Sequence, residues 1–230
     1  MIPGKLCVAL TGYDAEAIAK QITPVTDHYD VVEIRLDGMT HPDIQACQQK
    51  ITGPLLFTHR PLWEGGTYRG SEQDRLALLE QAIDVEAAYI DIELETEAVL
   101  RSKILNKARA GKTKSIVSHH NFSGTPGQNE LVNILRRMQN SGADIGKIIT
   151  TANNSTDVSR VLSLIHNAQE LDFPLITFCM GEAGRISRFA TIYMGGFMTY
   201  LALDEAQSTA PGQFSLKHFH SLLTLFNTKQ

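Results

Sequence analysis

Short apolar runs recur along the chain at nearly even intervals: Leu6 to Leu10, Val31 to Leu36, Leu55 to Thr58, Tyr89 to Leu94, Ser115 to His120, Ile145 to Thr150, Leu175 to Met180 and Phe197 to Leu203. Each is bounded by turn residues or by a helical pattern, as strands are. Between them, stretches such as Asp74 to Ala88, Glu130 to Ser141 and Thr156 to Leu171 place apolar residues near the i, i+3, i+4, i+7 spacing of an amphipathic helix. Ser71-Glu72-Gln73-Asp74 has the form of a capping box, and Ser155 and Thr156 are the expected N-caps of a later helix. About eight strands alternating with helices predict a (β/α)8 TIM barrel, with residues 1–230 as one domain, since no linker or charge block divides the chain. An open doubly wound sheet shares the alternation, but its usual GxGxxG is missing: Leu10-Thr11-Gly12-Tyr13-Asp14 offers one glycine.

Composition agrees with an ordinary globular protein. The 230 residues are 43% hydrophobic and 20% charged, enough for a large core. A formal net charge of -4 gives no basic stripe for nucleic acid or an anionic membrane, so local arginines matter more than the total. Three cysteines, Cys7, Cys47 and Cys179, stand far apart with no CxxC pair, which argues against a disulfide framework or a thiolate zinc site and suits a reducing cytosol. The apolar stretch in the N-terminal MIPGKLCVALTG is too short for a secretory core or a membrane span.

The informative residues are charged groups inside strands. Alternation in Val31 to Asp37 puts Glu33, Arg35 and Asp37 on one face, toward the barrel axis, where an unpaired charge costs several kcal/mol. Such charges need partners or a ligand; an internal Glu33/Arg35 ion pair is the purely structural alternative. Asp91 and Glu93 form a second acidic stripe; Glu93 is expected to hold neighbouring cations in place, and both stay outside the catalytic set. In the fifth strand Ser118 and His120 share a face while His119 points the other way, and adjacent histidines diverge too far to make a metal site. Lys147 stands mid-run among aliphatics. Either it snorkels toward a strand end, or desolvation and neighbouring cations (Arg35, Arg60 and Arg188) raise the fraction of neutral, nucleophilic amine above the fewer than ~1 in 1000 expected at the reference pKa.

Loops after the strands add to this. Arg60 and Glu64 flank a turn ending in Gly65-Gly66 at a strand's carboxyl end, where barrel active sites lie. Gly181 to Arg188 leads into a helix and offers arginines suited to a carboxylate, or else a phosphate cradle. Ser208 to Gln213 is a small-residue loop expected to act as a lid carrying Thr209 and Gln213.

In order along the chain, E-x-R-x-D at Glu33, an arginine followed by E-G-G at Glu64, D-x-E-L at Asp91, S-x-H at Ser118, the strand lysine Lys147, M-G-x-x-G-x-x-S-R ending at Arg188, and A-P-G-Q ending at Gln213 resemble the type I 3-dehydroquinate dehydratases. The resemblance implies a (β/α)8 barrel, a homodimer, and conversion of 3-dehydroquinate to 3-dehydroshikimate in the shikimate pathway of aromatic amino acid biosynthesis, without metal or organic cofactor. It implies that Lys147 forms an imine with the C3 ketone, that His120 shuttles protons, and that Glu64 orients His120. Glu33, Arg35 and Arg60 would serve the substrate hydroxyls and their supporting network; Arg188, Thr209 and Gln213 would serve its carboxylate. Asn121 stands where an aspartate often follows the histidine, and Thr209 where serine is usual. A class I Schiff-base aldolase, which also uses a barrel lysine, and a non-catalytic sugar-acid-binding barrel are the competing readings.

Overall fold

The computed structural model describes residues 4–204 and 212–227; Ser208 and Thr209 of the expected lid lie outside the described residues. Eight parallel strands carry the fold: β1 (Lys5–Leu10), β2 (Val31–Arg35), β3 (Leu55–Thr58), β4 (Tyr89–Glu93), β5 (Lys114–Asn121), β6 (Ile145–Thr151), β7 (Leu175–Met180) and β8 (Met198–Leu201). They are hydrogen-bonded in the order β7-β6-β5-β4-β3-β2-β1-β8. Chain order is therefore spatial order, each strand adding to the same edge as the one before it, as in a (β/α)8 barrel. Across the remaining seam the Phe197 N–H, just before β8, donates to the Leu175 carbonyl of β7 at 2.8 Å, so the sheet is a nearly closed barrel.

Helices α1 (Ala15–Ile22), α2 (Ile44–Lys50), α3 (Glu72–Asp84), α4 (Ala98–Ala110), α5 (Gln128–Asn140), α6 (Ser155–Glu170), α7 (Arg185–Met194) and α8 (Leu216–Asn227) alternate with the strands. Their starts follow cap chemistry. Asp14, Asp43 and Ser71 accept from the amides of Ala17, Ala46 and Asp74, the last as the sequence predicts. For α6 the cap is Asn154, whose extended backbone lets its side chain accept from the Asp157 N–H; Ser155 and Thr156 already lie within the helix. β8 is also shorter than its apolar run, because beyond Leu201, the last residue paired with β1, Ala202 bridges to Ser215 instead. No helix among the described residues is long and apolar enough to cross a membrane.

Strand alternation divides the core in two. Val32, Ile34, Phe57, Ile92, Val117 and Ile148 face outward onto Leu79, Leu105, Leu135 and Leu164 of the helices. Each such buried side chain contributes roughly 1.5 to 3 kcal/mol. Inside the barrel Cys7, Val31, Leu56, Ile116, Ile145, Ile176 and Met198 make a dry plug. Two residues further along the same faces stand Glu33 above Val31, Ser118 above Ile116 and Lys147 above Ile145. Because all strands are parallel, the period-2 step lifts every one of these polar groups toward the same end of the barrel, the carboxyl end.

Candidate active site

At that end a cavity is lined by Glu33, Arg35, Arg60, Glu64, His120, Lys147, Arg188 and Gln213, eight of the nine residues singled out from sequence. The ninth, Thr209, is outside the described residues. Apolar walls come from Phe122, Phe178, Met180 and Tyr200, which the sequence reading did not select because aromatic and methionine residues at strand spacing look like ordinary core.

Lys147 is almost wholly buried on β6, in register with Ser118 of β5 and Ile176 of β7. Its Nζ donates to Asp91 Oδ2 at 2.9 Å, lies 3.8 Å from Glu33 Oε1, and sits 4.1 Å from the centroid of the Tyr200 ring. Carboxylates and an aromatic face, rather than the expected arginines, thus make the immediate contacts of the amine. Arginine enters one layer back: Arg60 Nη2 donates to the same Asp91 Oδ2 at 2.7 Å, while its Nη1 donates to Glu93 Oε1 at 2.7 Å and Ser118 Oγ at 2.6 Å. Ser118 Oγ donates in turn to Asp91 Oδ1, and Glu93 Oε2 pairs with Arg75 of α3 at 2.6 Å. Burial works against ionisation of Asp91, but Arg60 and Lys147 outweigh it and hold the carboxyl far below the usual carboxylate range. Arg60 is therefore a brace whose guanidinium is already engaged, and Asp91, left out of the catalytic set on sequence, touches the central lysine.

Glu33 is buried and accepts from Thr58 Oγ1 at 2.8 Å. The internal Glu33/Arg35 pair is not formed. A single 3-10 turn, Leu36–Gly38, ends the strand alternation and folds Asp37 back onto Arg35, which donates to it through Nε at 2.9 Å and Nη2 at 2.7 Å. This leaves Glu33 to the Lys147 side of the cavity.

His120 is fixed by Glu64, which reaches it from a 3-10 turn, Leu62–Glu64, after β3. Glu64 Oε2 accepts from the His120 backbone N–H at 2.9 Å and lies 2.7 Å from His120 Nδ1. With the carboxyl group as acceptor, Nδ1 carries hydrogen and Nε2 keeps the lone pair. Burial, together with Arg60 and Lys147, pushes the imidazole well below its ordinary pKa, so it is a neutral base at pH 7. The turn that presents Glu64 closes at Gly65, which has φ +75°; a Cβ there would overlap the Phe122 ring. Asn121, the departure beside His120, uses Oδ1 to accept from the amides of Ser123 and Gly124 and from Ser123 Oγ, an acceptor role in the turn after β5.

Arg188, on the first turn of α7, is buried with its guanidinium carbon 4.4 Å from the Phe178 ring centroid, and burial pushes its pKa down to about 10. Ser187 beside it ties α7 to β7, accepting from the Cys179 N–H at 2.7 Å and donating to the Gly184 carbonyl. Arg188 and Gln213 thus face the cavity from the β7 and β8 side, whereas Glu33 and Arg35 face it from β2. Lys147 and His120, on the adjacent strands β6 and β5, complete the lining.

Comparison with known proteins bears on what such a cavity does. The chain is 40% identical to a 3-dehydroquinate dehydratase of Desulfotalea psychrophila over 222 residues, 96% of this chain and 98% of that one. It is 37% identical to a bifunctional chloroplastic 3-dehydroquinate dehydratase/shikimate dehydrogenase of Arabidopsis thaliana, covering 99% of this chain and 38% of that protein. Among solved structures, the type I 3-dehydroquinate dehydratase of Clostridium difficile, determined with covalent modified comenic acid, superposes with a TM-score of 0.88 at 30% identity over 98% of this chain and 93% of that one. The model of the family described as Type I 3-dehydroquinase matches residues 6–230. The chain therefore belongs to the type I 3-dehydroquinase family, a family of carbon–oxygen lyases.

Proposed function

We propose that this barrel converts 3-dehydroquinate to 3-dehydroshikimate and water through an imine on Lys147, with His120 as proton shuttle. The observation that carries the reading is the joint placement of the two groups: a buried lysine amine and a neutral imidazole on adjacent strands, both facing one cavity. Nζ attacks the C3 ketone as the neutral amine, and the proton the ammonium gave up, with one more from the amine, leaves with the carbonyl oxygen as water, giving a protonated imine. Its positive charge replaces that of the ammonium beside Asp91, so the ion pair holds the intermediate where it held the lysine.

The iminium acidifies the C2 hydrogen. His120 Nε2 removes that proton, leaving an enamine, and then delivers it to the C1 hydroxyl, which departs as water. A further water hydrolyses the conjugated iminium to the enone and regenerates the ammonium. Glu64 keeps the imidazole oriented throughout. Arg188, Gln213 and Thr209 take the substrate carboxylate, and Glu33 and Arg35 the hydroxyls of the opposite side, with Arg60 as their brace. Clamping both ends fixes the ring over Nζ. That the Clostridium difficile structure was determined with covalent modified comenic acid supports covalent chemistry in this family. The same reading has the enzyme act as a cytosolic homodimer, a state that sedimentation velocity tests.

The deciding experiment is borohydride reduction in the presence of 3-dehydroquinate followed by peptide mass spectrometry, alongside ultraviolet absorbance of the conjugated product. A reduced adduct on Lys147 with turnover is expected. Turnover without an adduct removes the imine; aldehyde release in place of water loss makes the protein an aldolase; ligand binding with neither makes it a sugar-acid-binding barrel.

A further inference from the structure

His119 and His120 lie on opposite faces of β5, yet both imidazoles reach the same carboxyl group. Glu64 curls over the strand end, so that Oε2 meets His120 Nδ1 at 2.7 Å while Oε1 lies 3.9 Å from His119 Nδ1. That His119 nitrogen is buried and has no hydrogen-bond partner among the described residues, although the side chain as a whole keeps 19% of its surface exposed. A buried polar atom left unpaired is unfavourable, and here the nearest remedy is a small rotation of either side chain.

We propose that His119 is a positioning residue for the reaction: its Nδ1 accepts a hydrogen bond from Glu64 Oε1 and so holds Glu64 as the neutral partner of His120. The inference rests on the reading of His120 as proton shuttle. Oε2 already faces two N–H groups of His120, so a proton on Glu64 belongs on Oε1, beside His119. Burial pushes the Glu64 carboxyl up to about 8; Arg60, at the end of β3, opposes this, while Glu93 and Asp91 of β4 add to it. Burial pushes His119 down, with Glu95 beyond β4 and Glu130 of α5 opposing and Arg137 of α5 assisting. His120, faced by Arg60, Lys147, Asp91 and Arg35, is also held neutral. One neutral carboxylic acid between two neutral imidazoles is the arrangement that satisfies every one of these groups near pH 7.

The sign of the effect follows. A hydrogen bond from neutral Glu64 to His119 favours the protonated acid. Removing it lets Glu64 ionise at lower pH, whereas His120 titrates where Glu64 is protonated in either case. In His119→Phe the Glu64 midpoint, read as the alkaline limb of kcat, should move down by about one pH unit with KM little changed, since one unit corresponds to a hydrogen bond of ordinary strength. The same midpoint should appear in the nitrogen-15 chemical shifts of the His120 ring measured without substrate. His119→Asn, which offers Oδ1 near the place of Nδ1, should return both toward wild type; should the Phe variant not fold, His119→Leu takes its place. An unshifted or raised Glu64 midpoint, or a kcat reduced equally at every pH, overturns the proposal. The substrate-free midpoint decides the role of His119, whereas absence of dehydroquinate turnover in the unaltered protein strikes the functional reading beneath it, so the two failures are told apart.

Discussion

The amine of Lys147 and the carboxylate of Asp91 meet at 2.9 Å across 56 residues of sequence, with both side chains at least 95% buried. Desolvating two charges is expensive, and the pair holds because Asp91 is also braced by Arg60 and Ser118. Asp91→Asn should leave Lys147 and Arg60 with an uncompensated buried charge and cost about 3 to 5 kcal/mol of stability. A urea denaturation midpoint equal to that of the unaltered protein would show that the pair carries no such weight.

Imine formation and proton transfer are separate steps and should fail differently. Lys147→Ala is expected to abolish both turnover and borohydride trapping. His120→Ala should lose 10²- to 10⁴-fold in turnover, the usual loss for one proton shuttle, while still forming a slow, trappable adduct. Near-normal dehydratase activity in Lys147→Ala would end the Schiff-base reading.

Arg188 is buried against Phe178 at the cavity wall, where a substrate carboxylate would be shielded from water. Arg188→Ala should mainly raise KM, by an amount corresponding to about 2 to 5 kcal/mol if the partner carboxylate is left unpaired. Initial-rate kinetics with an unchanged KM and kcat/KM would remove it from the carboxylate subsite.

Gly65 combines a left-handed backbone with a Phe122 ring packed where a side chain would start. Gly65→Ala should cost about 1 to 3 kcal/mol through its φ alone. Because Glu64 is its neighbour, kcat should fall with it. A variant as stable and as active as the parent would show that the turn tolerates a side chain and that Glu64 is held by other means.

Local pattern carried most of the fold. Leu55 to Thr58 and Leu175 to Met180 match β3 and β7 residue for residue, since a buried parallel strand is a continuous apolar run and its ends are set by adjacent turns. Where boundaries moved, a neighbour decided: β8 stops where β1 ceases to pair with it, and α6 is capped by Asn154 because that side chain, not the next two, reaches a free amide.

The same division runs through the site. Strand alternation alone pointed Glu33, His120 and Lys147 into one barrel, because period-2 geometry and parallel strands leave no other face for them. It could not say which charge meets which. Asp37 turned back onto Arg35, Asp91 took Lys147, and Glu64 came to stand between His119 and His120, and each of these depends on a turn or on a neighbouring strand far away in the chain. Sequence determined which residues are inward and polar, since that is a property of one strand and its solvent preference; tertiary structure decided their partners, since an ion pair is won by distance and burial, and both exist only once the barrel has closed.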